Sequence, residues 1–191
     1  MRGWCAGLLL SAAWLWPSAT FASADRYRRD LATEARRVFG PSAPVAMLAA
    51  QIEQESAWDE GALSRVGAQG LAQFMPGTRR WIESEYPELA GLAGPRWQFR
   101  AQALYMAWLL ERVKGLDCLE RQAFALSGYN GGLGHVYARQ RLSPTPQVCL
   151  FATCMIRPPG VSIANQSENE RYSRRILLTL APKYLHWGPA C

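Results

Sequence analysis

Two glutamates stand two places apart in the stretch QIEQESAW, residues 51 to 58, at the end of a run that otherwise builds a hydrophobic helix. Val45, Leu48, Ala49 and Ile52 follow the i, i+3, i+4, i+7 spacing of a buried helical stripe. Leu48, Ile52 and Glu55 continue that spacing, so Glu55 falls at the edge of the stripe while Glu53 and Gln54 turn to the flank and the far side. A carboxylate held against an apolar wall loses hydration, which favours its protonated form and raises its pKa from about 4.3 toward about 6. Such a group is a proton donor near neutral pH. The competing use of Glu55 is structural, pairing with an arginine or capping a loop, because ion-pair networks also perturb carboxylates.

The helix that carries Glu55 is predicted from Pro44 to about Trp58, with Ser42 as its cap and Pro44 in a first turn that has no partner for the missing N–H. Before it, residues 25–39 read as a largely exposed helix with Tyr27, Leu31, Val38 and Phe39 toward a core, ending at Gly40-Pro41. Residues 59–80 are glycine-rich loop and short helix. Helical spacing returns from about Arg96 to Lys114, with Phe99, Ala103, Met106, Leu110 and Val113 on one side. Asp117 and Glu120 form an Asp-x-x-Glu start for a helix to about Ser127, followed by a short one over 133–140. Prolines, two cysteines and polar residues make 142–166 a long loop held by disulfide bonding, and a last helix is predicted over about 167–180. No run alternates as a β-strand does, so the expected class is mostly α.

With 191 residues, 49% of them hydrophobic, the chain fits one domain with a true core. Residues 1–24 are expected to lie outside it. Met1-Arg2 gives a weak positive start, residues 4–16 carry no charge, and Ala22-Ser23-Ala24 offers the small residues that a signal peptidase reads, so cleavage after Ala24 is predicted. The uncharged run is shorter than the roughly 20 apolar residues of a membrane-crossing helix. Export leaves Cys118, Cys149, Cys154 and Cys191, an even number in an oxidising compartment, and two bridges with three pairings open. No metal is expected, because four residues separate Cys149 from Cys154 and the two histidines, His135 and His186, show no ligand spacing. The net charge is +6, and +5 without Arg2, with 20 basic and 15 acidic residues remaining. That balance suits a polyanion. The arginines are scattered and export removes the chain from the genome, so a negatively charged envelope polymer is the expected partner and nucleic acid is not.

Three further blocks follow the Glu55-Ser56 pair: SRVGAQGLAQFMPGT at 64–78, SGYNGG at 127–132 and SENERY at 167–172. Together the four resemble the catalytic domain of soluble lytic transglycosylases, which share the goose-type lysozyme fold. The family patterns are Glu-Ser at a helix end, Gly-Leu-x-Gln followed by Met-Pro-x-Thr, Ala-Tyr-Asn-x-Gly, and Glu-x-x-x-Tyr in the last core helix, in this order. The resemblance covers roughly residues 42–180. It implies a lysozyme-like helical domain over 25–191 with Glu55 as the catalytic acid. It also implies substrate-side positions for Ser56, Ser64, Gly70, Leu71 and Gln73, the glycine allowing close passage of the sugar and the glutamine amide both donating and accepting. Tyr129 and Asn130 fall near the acid and the cleavage point by the same resemblance, and Glu168 and Tyr172 are expected to line or buttress the cleft. Phe74 and Met75 read as core, and Gly67, Gly70, Gly131 and Gly132 also fit plain turns. Ala72 stands where the family usually has methionine, a change expected to widen the cleft, and Gly128 where alanine is common.

By resemblance, the glutamic acid protonates the bond between N-acetylmuramic acid and N-acetylglucosamine, then takes the proton of the C6 hydroxyl as a 1,6-anhydro ring closes. No cofactor is needed. Hydrolysis would require a second carboxylate, for which Asp59 and Glu60 lie nearby in sequence without evidence that they face the sugar. A peptidoglycan-binding scaffold without turnover is the alternative from another class. The expectation is thus a periplasmic monomer acting on peptidoglycan glycan strands, its compact form suited to local wall opening for an envelope-spanning conjugation or secretion apparatus.

Overall fold

The computed structural model describes residues 24–191, and its regular structure is helical. Pairing of β type among the described residues is limited to two isolated bridges, Leu63 with Gln69 and Gln69 with Phe74. The α-helices are α1 (Arg28–Phe39), α2 (Val45–Ser56), α3 (Pro76–Glu85), α4 (Gly94–Arg112), α5 (Cys118–Gly131), α6 (Leu133–Leu142) and α7 (Ile163–Arg174). A π-helical turn, Arg175–Leu180, and a 3-10 turn, Ala181–Tyr184, continue α7. The predicted export segment lies outside the described residues except for Ala24. No helix among the described residues is long and apolar enough to cross a membrane.

Helix α2 is central. Every residue from Val45 to Ile52 is buried, so the helix is covered on all sides and not along one stripe. It packs against α1 and against the π and 3-10 turns after α7, while α1 lies along α4 and α5 packs on α4, α6 and α7. Helix α1 buries more than its sequence suggested, because Glu34 is fully buried and accepts from Arg96 at 2.8 Å and Arg100 at 2.5 Å across the α1–α4 contact. Excess burial of a charge is tolerated when two guanidinium groups share it.

Several helix ends differ from the sequence expectation for local reasons. Ser42 does not cap α2; Pro44 occupies the N-cap position, and the Ala46 N–H is satisfied by Pro189 O at 3.0 Å, from the far end of the chain. Helix α2 stops at Ser56 because Ala57 and Trp58 adopt left-handed backbone, φ 52° and 67°. Asp117 does cap α5 by accepting from Glu120 N at 2.8 Å, but the Glu120 carboxylate does not return the bond. It accepts from Cys149 N and Leu150 N, at 2.5 and 2.9 Å, and so holds the 143–162 segment to α5. Helix α5 continues through Tyr129 and Asn130 to Gly131, placing that motif on a helix end, with Gly132 at φ 87° as the terminator. Helix α7 starts at Ile163, capped by Ser162 Oγ accepting from Asn165 N at 3.1 Å.

The disulfides are Cys118–Cys191 and Cys149–Cys154. The first ties the C-terminal residues to the start of α5, where Ala190 O also accepts from Gln122 Nε2 at 2.6 Å. The second closes a small loop inside the long segment between α6 and α7. The two bridges span 73 and 5 residues of sequence. Chain-entropy reasoning assigns them about 4 and about 2 kcal/mol of stabilisation respectively. Replacing Cys118 and Cys191 together with serine is therefore expected to lower the urea midpoint more than replacing Cys149 and Cys154, as measured on oxidised protein.

Candidate active site

The two glutamates at the end of α2 have different surroundings. Glu53 Oε1 accepts from Lys183 Nζ at 2.8 Å and its Oε2 from Tyr184 Oη at 2.6 Å. Tyr184 Oη in turn accepts from the indole N–H of Trp58 at 2.9 Å. Trp58 is 1% exposed and packs against Tyr27, Phe99, Tyr184 and Trp187, which holds two consecutive left-handed residues in place at the end of the helix. Glu53 therefore anchors the helix end.

Glu55 points elsewhere. Its Oε1 accepts from the hydroxyl of Tyr172, brought over by α7, and among the described residues no arginine or lysine forms an ion pair with it. Burial pushes its carboxyl up to about 7, the negative charge of Glu168 adds to the rise, and the Tyr172 hydrogen bond opposes both. Tyr129 and Tyr172 are themselves held well above the ordinary tyrosine range, by burial first and then by the Glu55 charge, so each stays protonated as a donor.

The loop between α2 and α3 is built by its own polar groups. Gly70 has φ 74°, a left-handed backbone that favours glycine, and a Cβ there would lie 2.3 Å from Gln98 Nε2 and displace the amide with which α4 holds the loop. Gln98 Oε1 accepts from Ala72 N at 3.0 Å, and Ala72 O accepts from Tyr129 Oη at 2.8 Å. Gln73, also left-handed at φ 48°, donates from Nε2 to Ala62 O and Gly70 O at 3.1 and 2.8 Å. Its amide protons are thus spent inside the loop, and Oε1 is what it has to offer a ligand. Ser64 Oγ accepts from Ala68 N at 2.9 Å in a tight turn, and Ser56 Oγ donates to Ile52 O at 3.3 Å.

Besides the Gln73 amide, expected to donate as well as accept, three further expectations change. Leu71 is fully buried among core side chains, so its side chain packs and does not reach a ligand. Ala72 is also fully buried, so the shortened side chain opens no surface there. Met75, expected in the core, is 42% exposed at the N-terminus of α3, while Phe74 is buried against Trp97, Tyr105 and Tyr129.

On the far side of Glu55, Asn169 organises the α5–α7 contact. It donates to Ser127 O at 2.9 Å and Asn130 Oδ1 at 2.8 Å and accepts from Ser127 Oγ and Arg139 Nη1, both at 2.7 Å. Gly131 leaves room for it, since a Cβ there would lie 2.8 Å from Asn169 Nδ2 and push the amide from its hydrogen bonds. Asn130 donates to Glu168 Oε1 at 3.4 Å, and both line a cavity of about 320 Å³ with Asn169 and Arg139. Glu168 is the carboxylate whose charge reaches Glu55. Asp59 accepts from Gly61 N and Glu60 from Tyr27 Oη, both away from it. Tyr129 also touches Tyr105, ring centroids 5.2 Å apart, and Tyr105 with Trp81 and Trp108 lines a groove of about 380 Å³. Sequence reading missed Gln51, Gln98 and this aromatic run; only the i, i+3 spacing of Tyr105 and Trp108 signalled any of it.

A helical domain that sets one raised carboxyl between tyrosines of two other helices defines the class. The chain belongs to the transglycosylase SLT domain family, whose model matches residues 40–147. Its mostly helical architecture agrees with the lysozyme-like fold expected of that family. The membrane-bound lytic murein transglycosylase F of Mannheimia succiniciproducens is 32% identical over 120 residues, covering 62% of this chain and 21% of that protein. The protein of the same name from Maricaulis maris is 36% identical over 98 residues, 51% of this chain and 20% of its own. The chain thus spans about a fifth of the length of the curated relatives it matches. The family match includes Glu55, Gly70 to Gln73 and Tyr129-Asn130, whereas Glu168 and Tyr172 follow it in sequence and join the site through the packing of α7.

The Glu55 carboxyl gives a pH test. Its folded value, about 7, lies above the ordinary 4.5, so between those values the folded state binds the extra proton. Stability falls as pH rises through that window, by roughly 3 kcal/mol in total. Glu55→Gln removes the cost. The variant is expected to be more stable than the native protein at pH 8 and to lose most of that advantage at pH 4, read from urea unfolding at both pH values.

Proposed function

We propose that this chain is a peptidoglycan lytic transglycosylase that cleaves the β-1,4 bond between N-acetylmuramic acid and N-acetylglucosamine and leaves a 1,6-anhydro muramic end. The observation that carries the reading is a single carboxyl, Glu55, held near 7 and hydrogen-bonded by Tyr172 within an SLT domain. A group at that value populates both protonation states near neutral pH, which suits one side chain that gives a proton and then takes one. Glu55 protonates the bridging oxygen as the C1–O4 bond breaks, and the acetamido group of the muramic residue stabilises C1. The Glu55 carboxylate then accepts the C6 hydroxyl proton while O6 bonds to C1. The proton is back on Glu55 and no water is consumed. An intramolecular hydroxyl replaces a bimolecular encounter, so a second protein carboxylate is unnecessary.

In this reading Tyr129, Asn130, Glu168 and the Gln73 oxygen face the glycan, Tyr172 serves the acid, and Ser56, Ser64 and Gly70 shape the loop beside it. The relatives' printed name, lytic murein transglycosylase, supports the reaction class. We place the protein in the periplasm after export, acting as a monomer on glycan strands. Local wall opening for an envelope-spanning conjugation or secretion apparatus is the narrowest form of this proposal, and normal assembly of such machines after deletion would sink it.

One observation favours hydrolysis as the second reading: Glu168 is a carboxylate close enough to act on Glu55. Mass spectrometry of fragments released from purified peptidoglycan separates the two. The lyase releases ends one water lighter than hydrolysis products, loses at least about 100-fold in rate with Glu55→Gln, and retains more than about a tenth of its rate with Glu168→Gln. Fully hydrated ends, with both variants equally inactive, would make the protein a hydrolase. Glycan binding without any fragments would make it a scaffold.

A further inference from the structure

Behind the acid runs a line of buried polar side chains that supplies no group to the reaction itself. Gln51 and Gln102 have no solvent exposure, and Tyr172 is 5% exposed. Gln102, on α4, donates from Nε2 to the backbone carbonyl of Leu48 at 3.1 Å and to Gln51 Oε1 at 2.8 Å. Gln51, one helical turn before Glu55 on α2, donates from Nε2 to Tyr172 Oη at 3.2 Å. Tyr172 donates to Glu55 Oε1.

The direction of this line is set at its far end. The Leu48 carbonyl can only accept, so Gln102 must present its amino group there; the flipped amide would set one oxygen against two others. Gln51 must then offer Oε1 to Gln102 and Nε2 to Tyr172. With an N–H already donated to its oxygen, the Tyr172 hydroxyl directs its own proton to Glu55. The arrangement leaves Gln102 Oε1 buried with no hydrogen-bond partner among the described residues. A buried acceptor without a partner destabilises a fold. Two apolar side chains of similar volume would fill the space without that cost, so packing alone does not account for the pair.

We propose that Gln51 and Gln102 are positioning residues for the acid: anchored on the Leu48 carbonyl, they keep the Tyr172 proton on Glu55 Oε1, confine the Glu55 proton to Oε2, and stabilise the carboxylate left after transfer. The proposal rests on Glu55 being the reacting acid. Because Oε1 already accepts from Tyr172, a protonated Glu55 carries its hydrogen on the other oxygen, where it is free to be donated. Once that proton leaves, the Tyr172 bond becomes charge-assisted and strengthens. The line therefore favours the ionised state over the neutral one, which helps a carboxyl made weak by burial to give its proton up. The titratable groups that face Glu55 are Tyr172 and Glu168 from α7 and Tyr129 from α5, while Glu53 on its own helix is turned to Lys183 and Tyr184. Neither glutamine carries charge or bonds Glu55 itself, so their hydrogen-bonded route to it passes through Tyr172.

The test is the titration of Glu55 by NMR in protein labelled with ¹³C at glutamate carboxyls, its resonance assigned by loss in Glu55→Gln. Gln51→Met keeps an unbranched side chain of similar volume and is expected to raise the Glu55 midpoint by about one pH unit. Gln102→Met is expected to raise it by less, and it covers the case in which Gln51→Met fails to fold, since it also removes the unpartnered oxygen. On soluble glycan fragments, kcat is expected to fall about tenfold with KM within about twofold. In a Tyr172→Phe background, neither substitution should move the midpoint further. An unchanged midpoint in both single variants, or an equal rise with Tyr172 already removed, overturns the proposal. The titration needs no turnover, so it judges the positioning line separately from the product ends that judge the lyase reading.

Discussion

The hydrogen bond from Tyr172 to Glu55 is where two opposed demands on a catalytic carboxyl meet. Burial alone drives the proton onto Glu55, and an acid made too weak would not give it up. A donor at Oε1 pulls the other way, and the balance lies near 7, with Glu168 pushing it upward from the same helix as Tyr172. Glu55 comes from α2 and Tyr172 from α7, so the contact exists only when both helices are in register. Most of the remaining architecture can be understood as holding that register.

Helix α2 is pinned at both ends by the last residues of the chain. Pro189 satisfies an N–H in its first turn, while Lys183 and Tyr184 hold Glu53 at its end and Tyr184 accepts from Trp58 just beyond. The Cys118–Cys191 bridge then fixes those residues to α5, the helix that carries Tyr129 and Asn130. Helix α7 is locked to α5 by Asn169 and by Arg139, a buried guanidinium that donates to Ser127, Gln166, Asn169 and the Ile156 carbonyl. Burial holds Arg139 below its ordinary pKa, and its hydrogen bonds run to neutral acceptors. Rotation of either helix would leave those polar groups buried without partners, which is costly. The site is thereby preorganised by its surroundings.

The helical class, the position of Glu55 at the edge of an apolar run and the Asp117 cap were legible in the sequence because each depends on neighbours within a few residues. Helix lengths were less legible. Ala57 and Trp58 carry no local signal for left-handed backbone; Trp58 is held there by a tyrosine 126 residues away. Gly70 read as a glycine for close approach, and a close approach is what it permits, but of Gln98. Leu71 and Met75 changed places between core and surface because a glycine-rich loop has no periodicity from which a facing direction can be read.

By itself the sequence determined the ingredients: a mostly α chain, a carboxyl whose spacing carries it toward apolar surroundings, and four blocks whose order resembles one family. Spacing along a helix is a local rule, and it survives without knowledge of the rest of the chain. Tertiary structure alone decided which glutamate is anchored and which is poised, which cysteines pair, and that Gln102 reaches Gln51 and Gln51 reaches Tyr172. Apart from the short Cys149–Cys154 bridge, those are contacts between residues 51 to 131 positions apart, and their energies depend on burial and on hydrogen-bond direction that no linear pattern specifies.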